Sequence, residues 1–278
     1  MPEGDTIFRT ATNMRKWICG RAVTAVKTTV PGLEAQRLVG AELSAVTPRG
    51  KHLLMRFSNG LTLHTHMRMT GSWHLYGVND RWRKPPWTAK FILTCGDRVA
   101  VCFSAPVIEM LLPSDEAHHR SLVELGPDVL ADGPLDVGEA LRRAELLPAG
   151  LEVGELLLDQ RVVCGIGNIY RCESLFLENV NPWTARSDLG AAALTSLLLC
   201  AQRLMRANAI AGSSSGAGAG GRGRVFDAPL LASRTSGPCV YGRAGKPCRV
   251  CGTFISFARL GKLPRDVFWC LSCQPPPT

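Results

Sequence analysis

No apolar run in this 278-residue chain approaches the roughly 18 residues needed to cross a bilayer. After Met1 the sequence opens Pro-Glu-Gly-Asp, where a secretory leader would carry its hydrophobic stretch. These two absences argue against a membrane span and against export, and the expected compartment is a reducing cytoplasm. Acid is scarce in only one part of the chain. From Arg203 to Thr278 eleven basic residues face two acids, Asp227 and Asp266, and that excess accounts for the whole formal net charge of +9. The first 202 residues balance to zero. The basic residues of the last quarter lie in Gly- and Pro-rich sequence and not along an amphipathic helix. A polyanion therefore fits better than a membrane surface, and nucleic acid is the expected one.

Within that basic end stand Cys248-Arg-Val-Cys251 and Cys270-Leu-Ser-Cys273, two Cys-x-x-Cys pairs with eighteen residues between the inner cysteines. Four thiolates at this spacing suit one tetrahedral zinc ion with no position left open for substrate, so the expected role is structural. The other seven cysteines (Cys19, Cys95, Cys102, Cys164, Cys172, Cys200 and Cys239) are odd in number and mostly sit in apolar runs, which disfavours a disulfide framework.

The hydrophobic period divides the chain. Up to about residue 130, short apolar runs at Ala22–Thr29, His52–Phe57, Leu61–His66, Phe91–Cys95 and Val99–Phe103 alternate with Gly, Asn-Gly and Gly-Asp turn signals. Thr6–Cys19 is spaced for a helix, so the pattern predicts a β-sandwich with a helix leading into it. Beyond Asp136 the period becomes helical, over Val137–Arg143, Glu152–Leu158, Asn168–Glu178 and Leu189–Ala207. The overall expectation is an α+β protein in three parts: a sandwich over 1–130, a helical domain over 135–235 and a finger over 239–278. The break between the first two falls in Gly126–Pro134. Residues 211–224, rich in Gly and Ser and ending Arg222-Gly-Arg224, read as a mobile loop, either a passive linker or a segment that orders on DNA.

Loss of Met1 would leave Pro2 with a free secondary amine beside the carboxylate of Glu3. Such an amine, with an ordinary pKa of about 7.7–8.0 against about 10.4 for lysine, keeps a substantial unprotonated fraction near neutrality and is able to attack an aldehydic carbon. Pro2-Glu3-Gly4, then Arg49-Gly50-Lys51, Gly165-Ile166-Gly167-Asn168-Ile169-Tyr170 and a terminal four-cysteine finger occur in one order along the chain. Together they resemble the bifunctional DNA glycosylases of the formamidopyrimidine-DNA glycosylase and endonuclease VIII family.

The resemblance implies a division of labour. Pro2 is the expected nucleophile at C1′ and Glu3 the general acid/base. Lys51 and Arg265 are expected at phosphates beside the lesion, where they support catalysis, and Asn168 is a further expected phosphate ligand in a helix–two-turn–helix element. Arg68, Met69 and Thr70 align with the loop that fills the hole left by an extruded base, with Met69 as the apolar wedge. The implied partner is damaged DNA, bound by a monomer. Ser104–Met110 carries no arginine, whereas the guanine-lesion branch reads the opposite base with one, and Ser-Ala-x-x-Ile-Glu-Met-Leu looks like endonuclease VIII. That branch removes oxidised pyrimidines. An 8-oxoguanine preference and a non-catalytic damage binder remain as alternatives. Thr6 departs from the family pattern, standing where many relatives have glutamate.

Overall fold

The computed structural model describes residues 2–211 and 237–276; the loop expected at 211–224 lies, but for its first residue, outside them. The chain forms two compact units: among the described residues, one holds 2–124 with 209–211 and the other holds 125–208 with the finger. The first unit opens with helix α1 (Gly4–Trp17) and continues through strands β1 (Ala25–Thr28), β2 (Leu43–Arg49), β3 (His52–Phe57), β4 (Thr62–His66), β5 (Ser72–Gly77), β6 (Ala89–Cys95), β7 (Arg98–Phe103) and β8 (Val107–Leu111). These make two four-stranded antiparallel sheets, ordered β1-β6-β7-β5 and β2-β3-β4-β8. Alternation along the strands places Leu53, Met55, Phe57 and Leu63 of one sheet and Phe91, Leu93, Ala100 and Cys102 of the other in a single core. Ile7, Ala11 and Met14, one stripe of α1, and Ile18 just past its end join that core, and this burial anchors the N-terminus to the sandwich.

Two short helices, α2 (Pro113–His118) and α3 (Arg120–Val123), follow β8. The second unit contains α4 (Val137–Glu145), α5 (Val153–Leu156), α6 (Asn168–Leu177) and α7 (Ala191–Ala211), then the hairpin β9 (Ile255–Leu260) and β10 (Arg265–Cys270). The expected α+β architecture is present, and every predicted helix overlaps an observed one. The sequence pattern did not identify β2, β5 or β8. β2 contains Pro48, which removes a backbone donor, and β5 follows a chain reversal at Gly71. The two units divide at residue 125, just ahead of the Gly126–Pro134 stretch that broke both periods, while the change from strands to helices comes earlier, after β8. At Gly126 a Cβ would lie 2.4 Å from the carbonyl oxygen of Val162, so glycine is required for that close backbone approach.

Candidate active site and nucleic-acid interface

Glu3 is the N-cap residue of α1, and its carbonyl accepts from the N–H groups of Thr6 and Ile7 at 2.9 and 3.2 Å. This fixes the backbone of the Pro2-Glu3 pair. The Glu3 side chain is fully buried at 0% exposure, while Pro2 is half-buried. Asp5, in the first turn, is also buried and is paired with Arg9 at 3.5 Å. Thr6 donates to Asp5 at 3.3 Å, so it serves this turn and supplies no carboxylate.

Lys51 lies in the two-residue turn joining β2 to β3, where Arg49 pairs with His52. Gly50 has φ +56° there, a conformation that favours glycine in tight hairpins. His52 pairs with His66 at the far end of β4, so the Lys51 turn and the β4 exit share one edge of the sheet. Burial first, then the charges of Lys51 and Arg68, push the His66 pKa down to about 4. The neutral ring can accept through Nδ1, and it does so from the Arg68 N–H at 3.2 Å.

Arg68, Met69 and Thr70 form the tip of a reversal closed by Gly71 N–H donating to the Met67 carbonyl at 2.9 Å. Arg68 has φ +44°, and Thr70 donates to the Ser104 carbonyl at 3.0 Å. Met69 is 54% exposed, so it is an apolar side chain presented to solvent and not a core residue.

In the second unit, α5, the turns over 157–167 and α6 make a helix–turn–turn–helix. Gln160 holds its glycine-rich end: its amide donates to the carbonyls of Leu158 and Ile166 at 2.8 and 3.0 Å, and its oxygen accepts from Gly165 N–H at 3.0 Å. Gly165 has φ +106°, and Gly167 is the N-cap of α6. Asn168, only 7% exposed, donates from Nδ2 to the carbonyl of Asp266 at 2.7 Å. Arg171, fully buried, donates to the same carbonyl at 2.8 Å. Asp266 follows Arg265 in β10, so two expected DNA contacts are brought together by this carbonyl, and the Asn168 amide grips the finger hairpin.

The four expected ligands Cys248, Cys251, Cys270 and Cys273 converge, with every sulfur within 4.8 Å of the others. Cys251 and Cys270 lie 3.4 Å apart, and Cys248 and Cys273 lie 3.9 Å apart. Zinc–thiolate bonds of about 2.3 Å at tetrahedral angles separate sulfurs by about 3.8 Å, so the donor set fits zinc. Hydrogen bonds from Thr253 draw the Cys251 thiol down to about 6, while burial first and then the neighbouring sulfurs raise Cys270 and Cys273. Sulfurs this close cannot all ionise without a cation among them. All eleven cysteines are free of disulfides.

Two family matches cover most of the chain: the formamidopyrimidine-DNA glycosylase N-terminal domain over residues 1–106, and the H2TH domain of the same family over residues 126–218. A Streptomyces coelicolor protein described as probable endonuclease 8 2 is 37% identical over 286 residues, covering 100% of this chain and 95% of the relative. This chain belongs to the formamidopyrimidine-DNA glycosylase family. Endonuclease 8 2 of Mycobacterium tuberculosis is 33% identical, covering 99% of the chain and 100% of that protein. A solved complex of Lactococcus lactis Fpg with abasic-site DNA has the same fold, at a TM-score of 0.79 and 21% identity over 99% of this chain and 100% of that one. The protein is therefore a DNA-repair glycosylase by family, and among its described residues no helix is long and apolar enough to cross a membrane.

Three residues that support this glycosylase site were missed from sequence. Besides Gln160 and Arg171, Glu173 is fully buried and accepts from the N–H groups of Cys239, Val240 and Tyr241 at 2.6, 3.0 and 2.8 Å. Desolvation raises its pKa against the pull of those three donors. The available signal was a pair of charges, Arg171 and Glu173, inside the otherwise apolar helix Asn168–Leu177. A charge placed inside a buried stripe is there to meet a partner.

Proposed function

We propose that this glycosylase is bifunctional: it excises oxidised pyrimidines and then cleaves the strand through a Schiff base on Pro2. The observation that carries the reading is the Pro2-Glu3 pair, in which Glu3 has 0% exposure and a backbone fixed as the N-cap of α1, next to the only secondary amine the chain can present. After loss of Met1, the Pro2 nitrogen attacks C1′ as the base leaves, and an iminium forms. Glu3 supplies the proton that opens the sugar ring. The iminium acidifies the C2′ hydrogen. Successive β- and δ-elimination then expel the 3′- and 5′-phosphates and leave a one-nucleotide gap. Lys51 and Arg265 hold phosphates flanking the lesion, with the guanidinium fork of Arg265 suited to two contacts on one phosphate. Arg68, Met69 and Thr70 fill the gap in the stack, a role supported by the exposure of Met69. Asn168 adds a phosphate contact from the start of α6.

Zinc, one ion held by Cys248, Cys251, Cys270 and Cys273, keeps the hairpin that bears Arg265 folded and takes no part in the chemistry. In this reading residues 1–130 carry the chemistry, while 135–235 and 239–278 grip damaged DNA. The protein acts as a monomer in the bacterial cytoplasm, at the nucleoid. The pyrimidine preference rests on Ser104–Met110, which is arginine-free, and on the endonuclease 8 names of the curated relatives. Residues 107–110 of that stretch belong to strand β8, which leaves only residues 104–106 as a connection before it.

Borohydride trapping on oligonucleotides that differ only in lesion and opposite base tests the proposal. A covalent adduct at Pro2 and faster single-turnover excision of thymine glycol or 5-hydroxyuracil than of 8-oxoguanine are expected. An N-terminally extended form that still crosslinks would remove Pro2 as nucleophile. A clear preference for 8-oxoguanine opposite cytosine would reassign the substrate.

A further inference from the structure

The outer face of the β2-β3-β4-β8 sheet carries a polar cluster that the proposed reaction does not use. His64 and Glu109 are cross-strand partners on β4 and β8, on the face opposite the core residues Leu63 and Ile108. The segment of α2 and α3 lies over this face, where Glu116 binds Arg56 and accepts from Thr62 at 2.8 Å. His119, between the two helices, adds its ring to the same cluster.

One oxygen of Glu109, Oε2, lies 2.9 Å from His64 Nδ1 and 3.1 Å from His119 Nε2. All three ligand atoms are within 4.8 Å of one another. The second nitrogen of each imidazole is also held: His64 Nε2 by His52 Nδ1 at 2.8 Å, and His119 Nδ1 by Ser121 Oγ at 3.0 Å. We propose that His64, Glu109 and His119 form a second metal site, distinct from the cysteine finger, for a transition-metal dication of the zinc class.

The donor chemistry selects the ion. Two imidazoles and one carboxylate suit zinc, cobalt or nickel, whereas calcium and magnesium prefer all-oxygen sets. Bonds of about 2.0–2.2 Å from one cation place neighbouring ligand atoms about 3.3–3.6 Å apart at tetrahedral angles, so the two shorter distances at Glu109 need to open by only a few tenths of an ångström. Outer partners on the far nitrogens fix ring orientation and tautomer, as ligating histidines require. Access is one-sided: the His64 side chain is 1% exposed, against 24% for His119 and 44% for Glu109. A fourth position can therefore be filled by water. A bound ion would cross-link β4, β8 and the α2–α3 segment, tying the last element of the first unit to its sheet.

The test is metal analysis of the full-length holoprotein after dialysis against low-micromolar zinc, together with a cobalt titration read by absorption. The wild type should hold one more equivalent than His119→Asn, and the same loss should follow His64→Asn. The thiolate-to-cobalt charge-transfer band, which reports only the finger, should be unchanged in both variants. His119 is part-exposed at the junction of two short helices, so its variant should fold; circular dichroism checks this and Glu109→Gln repeats the measurement. Equal metal content in wild type and His119→Asn, or cobalt uptake that ends when the charge-transfer band saturates, would overturn the site.

Discussion

Replacing Asn168 with aspartate should damage the protein more than replacing it with alanine. The Asn168 amide nitrogen sits 2.7 Å from the Asp266 carbonyl oxygen, and Arg171 donates to that same oxygen at 2.8 Å. Alanine removes one neutral hydrogen bond and leaves the carbonyl satisfied by Arg171, a loss of about 1 kcal/mol. Aspartate places a buried acceptor against an acceptor, because Asn168 is only 7% exposed, and the cost rises to about 2–4 kcal/mol even with Arg171 nearby. Chemical denaturation followed by tryptophan fluorescence suits this measurement, since Trp183 and Trp269 stack edge-on at 4.5 Å beside the hairpin. Binding to an abasic-site duplex separates the two roles of the side chain. If Asn168 acts only by holding the hairpin, alanine weakens binding by about fivefold, the equivalent of 1 kcal/mol. A direct phosphate contact adds a charge-assisted bond of about 1.5–3 kcal/mol, or a further ~10- to 150-fold. Asn168→Asp with the stability of Asn168→Ala would refute the assigned contact with Asp266.

Gly71→Ala should destabilise the first unit by about 1–3 kcal/mol and weaken binding to lesion DNA, since a Cβ there would lie 2.8–2.9 Å from the Met67 and Ala105 backbone. A thermal melt and a binding isotherm at wild-type values would contradict that. Removing metal with a chelator should unfold the β9–β10 hairpin and lose DNA affinity while α1 and the sandwich persist, as followed by thiol alkylation and circular dichroism. His74 gives a pH dependence: burial first, then Lys84 and Arg83, lower its pKa from 6.5 to about 4. The folded state keeps a neutral ring that the unfolded state protonates, so this stability is complete above pH 6.5 and is lost as pH falls toward 4. At pH 5 the loss is about 2 kcal/mol. His74→Gln, which keeps an acceptor for the Tyr76 hydroxyl at the site of the present 3.0 Å contact, should flatten the denaturation profile between pH 7.5 and 5. An unchanged slope would show that His74 is not the group responsible.

Sequence determined much of this protein because its chemistry is local. The Cys248–Cys251 and Cys270–Cys273 spacing, the Pro2-Glu3 start and the Gly165–Gly167 turn each bring their groups together through adjacent residues, so order along the chain stands in for geometry. Periodicity likewise gave the leading helix and the change from strands to helices, because one buried stripe or face sets each period. The Asn59-Gly60 turn signalled the β3–β4 hairpin, but pairing between distant strands was not legible, since pairs such as His64 with Glu109 join residues whose separation no local pattern encodes. Nor was the double grip of Asn168 and Arg171 on Asp266, which spans 98 and 95 residues. Polar residues such as the part-buried Gln160 and the fully buried Arg171 and Glu173 contradict the hydropathy of their surroundings and make sense only beside the backbone groups they satisfy. The tertiary structure alone supplies those partners, because a hydrogen bond inside a protein is specified by position in space and not by distance along the chain.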